Sequence, residues 1–168
     1  LSEILPKANT IIFDEAHQVP LVASFFLGQS ISSSQISNLI QDCQQGLKKY
    51  ADTIKVLDTL SKDFQEIFFE LKKIVSPFPA RLNINNLKNY ENFEETYNSL
   101  IKKLELLGMT LSKHSEENAE LQKLFERSSE LNIRFSSWLK KDNQNNIYWL
   151  EVFARTVQFN ETPISISE

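Results

Sequence analysis

From Ile31 to Lys141 the apolar residues recur every three or four positions, and that period constrains the fold more than any other feature of the chain. Ile36, Leu39, Ile40, Cys43, Leu47 and Tyr50 form one such stripe. Ser32 and Gln35 precede it at capping-box spacing, where each side chain can satisfy a backbone N–H that the first helical turn leaves without a partner. Ile54, Leu57, Leu60, Phe64, Ile67, Phe68, Leu71 and Ile74 form a second stripe, with Asp52 placed to cap it. Ser76-Pro77-Phe78-Pro79 stops that helix, because proline lacks the N–H donor and restricts the residue before it. The Asn-rich stretch from Arg81 to Tyr90 reads as a loop. Asn92 and Glu95 repeat the capping-box spacing ahead of Phe93, Tyr97, Leu100, Ile101, Leu104 and Leu111, with Gly108 a local weak point. Leu121, Leu124, Phe125, Leu131, Phe135, Trp138 and Leu139 supply a fourth long helix. Four amphipathic helices with short connections predict a mainly α fold, a bundle of long helices. Three glycines and five prolines in 168 residues are too few for an all-β sandwich or barrel.

Short β-rich segments lie at both ends. Ala8-Asn9-Thr10-Ile11-Ile12-Phe13 lacks polar alternation and reads as a strand buried on both faces of a parallel sheet. Ile147 to Val152 and Thr156 to Phe159 are spaced as a hairpin, although Phe153-Ala154-Arg155 offers no Gly or Asn for the turn. The tail from Thr162 to Ser167 reads as extended. Strands cannot satisfy their own backbone groups, so the sheet partners of Ala8–Phe13 are expected outside this chain, and the C-terminal segments call for partners in the same way.

Composition excludes several classes of function. Eighteen basic and 22 acidic residues give a net charge of −4, without the basic excess of a free-standing nucleic-acid-binding domain. One cysteine, Cys43, excludes an internal disulfide, a cysteine-based zinc site and an iron–sulfur cluster held by this chain alone. No run is apolar enough for a membrane span, and Leu1 to Lys7 has no cationic head before an apolar stretch, so cytoplasmic residence is expected. Without an initiator Met, the chain is expected to be a piece of a longer protein or a processed product.

The chemistry concentrates in Ile11-Ile12-Phe13-Asp14-Glu15-Ala16-His17. A buried strand ends there, and two carboxylates follow at its carboxyl edge, where open α/β sheets bind ligands. In a nucleotide hydrolase Asp14 would hold the Mg²⁺ that bridges the phosphates, and Glu15 would be the catalytic group that orients and polarises the attacking water. Asp14 and Glu15 together would form the nucleotide and metal end of the site, with His17 coupling it to a neighbouring domain. The plainer interpretation is a strand end followed by a helix whose N-terminus favours acidic residues. A zinc site at Asp14, Glu15 and His17 is disfavoured, because the chain has no helical His-x-x-x-His pair.

The Asp-Glu-Ala-His run resembles motif II (Walker B, the DEAH box) of superfamily-two helicases. The longer string Leu5-Pro6-Lys7-Ala8, Phe13 through Pro20 and Ala23-Ser24 resembles the DinG/YoaA branch of the XPD-like DNA helicases. Ser30-Ile31-Ser32-Ser33 with Gln35, and Tyr148-Trp149 with Thr162-Pro163-Ile164-Ser165, extend the likeness at both ends, whereas the helical middle matches in length and pattern. The resemblance implies three parts. Residues 1–27 would carry the motif II strand and the following helix of a first RecA-like motor domain. Residues 28–145 would be a helical insertion, the Arch domain, and residues 146–168 β-strands returning to the motor domain.

It further implies a 5′-to-3′ DNA helicase that uses ATP and Mg²⁺, with the Arch guiding or gating single-stranded DNA. A 4Fe–4S cluster would be held outside this chain, and accessory replication or repair proteins are implied as partners. No Gly-x-x-x-x-Gly-Lys-Ser/Thr phosphate loop is present, so this chain alone is expected to be inactive. The alternative is a helical scaffold that binds protein partners along its grooves and carries an incidental or degenerate DEAH sequence.

Softer signals read as structural. Lys48-Lys49, Lys72-Lys73, Lys102-Lys103 and Lys140-Lys141 could touch phosphates, but with a net charge of −4 solvated helix faces and helix C-termini are the favoured explanation. Trp138, Tyr148, Trp149 and Phe153 could stack on bases, although their spacing favours the core. Cys43 lies on an apolar helix face, and His114 is placed on the surface between two helices.

Overall fold

A computed structural model describes residues 28–75, 80–87, 90–140 and 144–163. In chain order these form β1 (Gln29–Ser32), α1 (Ser33–Gly46), α2 (Ala51–Ile74), β2 (Ala80–Asn83), α3 (Ile84–Leu87), α4 (Phe93–Ser112), α5 (Ala119–Lys140), β3 (Asn146–Val152) and β4 (Val157–Pro163). The mainly α fold expected from the period is the observed one. The four long helices close a ring of packing, with α1 on α2, α2 on α4, α4 on α5 and α5 back on α1. Their stripes meet in one core that includes Leu39, Leu57, Leu60, Leu71, Leu100, Leu104 and Leu107, all almost fully buried. Each such side chain contributes on the order of 2 kcal/mol by leaving water.

Local chemistry sets the helix ends, not always as the spacing suggests. The Ser32–Gln35 capping box forms at α1, and the Ser32 N–H donates to Gln35 Oε1 at 2.8 Å. Asp52 does not cap α2. Tyr50 holds that position and Asp52 sits exposed in the first turn, where the helix dipole favours its charge. Asn92 precedes α4 in a left-handed conformation (φ 67°) without a side-chain cap bond, so the Asn92–Glu95 box does not form. Asn118 caps α5 unaided, its Oδ1 accepting from the N–H groups of Glu120 (3.0 Å) and Leu121 (2.9 Å). Helix α4 runs through Gly108 without a break. Helix α2 ends at Ile74, just before Ser76-Pro77-Phe78-Pro79, which lies outside the described residues. The Asn-rich stretch is not all loop. It forms β2 and the single turn α3, anchored by buried Ile84 and Leu87.

The strands form one antiparallel sheet in the order β1-β4-β3-β2. The hairpin of β3 and β4 forms as spaced, closed by the Phe153 N–H donating to Thr156 O at 2.8 Å. These strands find their partners within the described residues: β4 pairs with β1, and β3 with β2. Alternation turns Tyr148, Leu150, Val152, Val157 and Phe159 towards the helices, where all five are buried.

The sheet packs where α1 begins, α2 ends, α4 begins and α5 ends. An aromatic cluster makes the joint. The Phe159 ring lies 5.0 Å from Trp138, 5.2 Å from Phe135 and 5.4 Å from Tyr97, each in an edge-on geometry. Two hydrogen bonds lock it: Tyr97 OH donates to Phe135 O at 2.8 Å, and Trp138 Nε1–H donates to Asn160 O at 3.0 Å. The opposite end of the bundle is a tip made of the α1–α2 and α4–α5 connections. Thus β1 and β4 bring the two ends of the described chain side by side, with Gln29 opposite Glu161.

Candidate functional site

The motif residues Asp14, Glu15 and His17, with the strand Ala8–Phe13 before them, lie outside the described residues. What the structure defines is the body that follows them. Twelve residues after Ala16, at Gly28, the described chain begins, and β1 starts at the next residue on an outer edge of the sheet. The chain leaves through β4, hydrogen-bonded to β1. Any segment preceding Gly28 and any segment following Pro163 therefore attach at one place.

Among the described residues, no cluster of His, Cys, Asp or Glu is arranged to hold a metal ion. Cys43 is fully buried, and burial pushes its thiol up to about 12. A single buried, protonated thiol does not fit a cluster ligand, which must be an accessible thiolate among several. Tyr97 is likewise raised well above its ordinary value by burial, as befits a phenol that donates to a carbonyl in the core. No helix among the described residues is long and apolar enough to cross a membrane.

The aromatic residues divide. Trp138 and Tyr148 belong to the core, whereas Trp149 is half-buried on the outer sheet face beneath the Arg81 guanidinium, 4.7 Å from its ring centre. Phe153 is exposed beside the β3–β4 turn. The period places Phe68 in the core, so its neighbour Phe69 must face outward, and it is 59% exposed. That signal was in the sequence, one position away from the stripe.

The lysine pairs divide as well. Lys49 pairs with Glu117 (3.3 Å), Lys73 with Glu70 (2.9 Å) and Lys103 with Asp63 (2.6 Å). Lys72 instead donates to Ala154 O at 3.0 Å, tying the end of α2 to the β3–β4 turn. Lys141 lies outside the described residues.

His114 is not the free surface residue that its polar neighbours suggest. Its side chain is 14% exposed and it joins the two connections at the tip. Nδ1 meets Glu117 Oε1 at 2.7 Å, Nε2 meets Thr53 Oγ1 at 3.0 Å, and the ring lies 4.1 Å from that of Tyr50. The Tyr50 hydroxyl also donates to Glu117, which accepts from Lys49 as well. These contacts join the two connections at the tip.

No protein-family profile matches the chain. Two curated proteins align with it along almost its whole length. The ATP-dependent DNA helicase YoaA of Escherichia coli is 31% identical over 172 residues, and its namesake from Haemophilus influenzae is 26% identical over 171. Each alignment covers 99% of this chain and 26% of the relative, so the chain spans about a quarter of the length of the curated relatives it matches. The likeness includes the helical middle, where sequence motifs were weakest, and supports a helicase of the DinG/YoaA kind as the protein to which the chain is related.

Proposed function

We propose that this chain is the segment of an ATP-dependent DNA helicase that carries motif II and the helical insertion following it. The observation that carries the reading is the pairing of β1 with β4. A body whose two ends are adjacent can be inserted into a loop of another domain without disturbing it. The DEAH sequence stands just upstream of that body, and the alignment to two DNA helicases runs through both parts.

In this reading residues 1–27 belong to the motor domain and the Arch begins at about residue 28. The boundary at residue 145 drawn from the sequence moves to the end of β4, because β3 and β4 complete the insertion's own sheet and core before the chain leads back to the motor, and that sheet is the root of the insertion. Asp14 is a hard oxygen donor suited to Mg²⁺, and Glu15 is the base that positions water against the terminal phosphate of ATP. The bound metal supplies charge neutralisation on the phosphates, and His17 communicates with the neighbouring domain. The phosphate loop and the second motor domain come from other parts of the longer protein. So does any iron–sulfur cluster, because Cys43 is not a ligand for it. The Arch guides single-stranded DNA, and translocation runs 5′ to 3′.

The test is ATP hydrolysis by the longer protein, with and without single-stranded DNA, beside its Glu15→Gln variant. DNA-stimulated hydrolysis that the substitution abolishes, with nucleotide binding retained, supports the reading. Hydrolysis unaffected by Glu15→Gln defeats it.

A second reading, a protein-binding scaffold, has one feature in its favour. A groove between α4 and α5, floored by Gly108 and Ser128, is flanked by Met109 and Ile133, which are 66% and 65% exposed. An intact ATPase in the longer protein would make that groove an accessory feature rather than the function.

A further inference from the structure

Phe69, Lys72 and Lys73 share the outward face of the last turns of α2, and Phe153 and Arg155 flank the β3–β4 turn. The bond from Lys72 Nζ to Ala154 O holds that turn against the helix, so the two groups form one surface. Phe69 is 59% and Phe153 44% exposed, although each side chain loses by facing water. The Lys73 ammonium stands 4.7 Å from the centre of the Phe69 ring. Glu70 balances Lys73, but Lys72 and Arg155 form no ion pair among the described residues. Glu66 stands exposed one turn before Phe69, so Lys72, Lys73 and Arg155 outnumber Glu66 and Glu70 by one around two exposed rings, on a chain whose net charge is −4.

We infer that this surface is a stacking platform for single-stranded DNA. Exposed rings accept the face of any base, and interleaved cations meet the phosphates between bases. An apolar protein partner would gain from the rings but would have to bury Lys72 and Arg155 without carboxylates of its own, so an anionic strand suits the surface better. The inference rests on the helicase reading for its choice of DNA, and it assigns the strand to named residues of the insertion's sheet end, away from the tip.

The experiment measures anisotropy of a labelled oligo(dT) of about twenty nucleotides, long enough to cover one such platform, with the 168-residue chain at low salt. The double substitution Phe69→Ala, Phe153→Ala is expected to weaken binding at least about tenfold. Lys72→Gln with Arg155→Gln is expected to flatten the salt dependence by about 1.4 in the log–log slope. The aromatic variant should melt within about 3 °C of the unaltered chain, since both rings are exposed, and the cationic pair is read beside Arg155→Gln alone, which keeps the Lys72 bond to Ala154 and should flatten the slope by about 0.7. No binding of oligo(dT), affinity unchanged in the aromatic variant, or equal losses on duplex DNA of the same length would each overturn the platform. Such a result, beside a longer protein that loses ATP hydrolysis on Glu15→Gln, would remove this surface and leave the helicase reading intact.

Discussion

Gln29 lies directly opposite Glu161 across the β1–β4 ladder. A chain of about 130 residues therefore leaves from one point and returns to a point one strand spacing away, roughly 5 Å. Its helices project from that root to a tip closed by Tyr50, His114 and Glu117. The geometry suits the insertion proposed above, because both ends of the described body lie side by side.

The joint between sheet and bundle depends on Tyr97, which stacks on Trp138 at 5.7 Å and bonds to Phe135 O. Tyr97→Phe keeps the ring and loses one buried hydrogen bond, so urea denaturation should show a loss of about 1 kcal/mol. Tyr97→Ala also opens a cavity against Phe159, and a loss of about 3–5 kcal/mol is expected. Equal effects for the two variants would mean that the ring contributes little.

Cys43 makes stability depend on pH in the alkaline range. Its thiol ionises near 12 when folded, against an ordinary 9.0 that the unfolded chain should show, because burial disfavours the thiolate. Above pH 9 the unfolded state releases the proton first, so folding weakens as pH rises towards 12. The advantage of the wild-type chain over Cys43→Ala should therefore be full below pH 9 and shrink between pH 9 and 11. Denaturation curves of both proteins at pH 8 and pH 11 check this, and a constant difference would contradict it.

Gly108 is a position where the sequence leaves stability unused. A Cβ built there meets only Ser128 Oγ at 3.8 Å, an ordinary contact. Gly108→Ala should stabilise the chain by about 0.5–1 kcal/mol by reducing the freedom of the unfolded backbone. Gly46 is the control: its Cβ would come within 3.2 Å of Leu124 Cδ1, so the same change there should gain less or cost stability. Thermal melts of the two variants separate these outcomes.

The helices were legible because their evidence is local. Leu57, Leu60, Phe64, Phe68 and Leu71 announce a buried face whatever they pack on, and all five are buried. The sheet was only half legible, since strand pairing joins residues far apart in the chain. Nothing in Arg81-Leu82-Asn83 says that it will lie beside Glu151-Leu150-Trp149, and the asparagines around it argue for a loop. Helix caps misled for a related reason: Asn92 has the right chemistry but a left-handed backbone that takes its side chain away from the turn. His114 reads as solvent-exposed until the α1–α2 connection arrives beside it. The candidate site divides in the same way. Asp14, Glu15 and His17 are legible as a candidate motif because their residue types stand at fixed spacing within a few positions, whereas a surface such as Phe69 with Phe153 exists only once α2 and the hairpin meet.

The most direct test of the inserted-arm account is to remove the arm from the longer protein. Residues 30–162 would be replaced by a short Gly-Ser link, which the pairing of Gln29 with Glu161 makes geometrically possible. The account predicts a folded motor that still binds and hydrolyses ATP while strand unwinding falls at least about tenfold, the scale of losing oriented binding. A shortened protein that unwinds DNA at the original rate, or one that no longer folds and binds nucleotide, would contradict it.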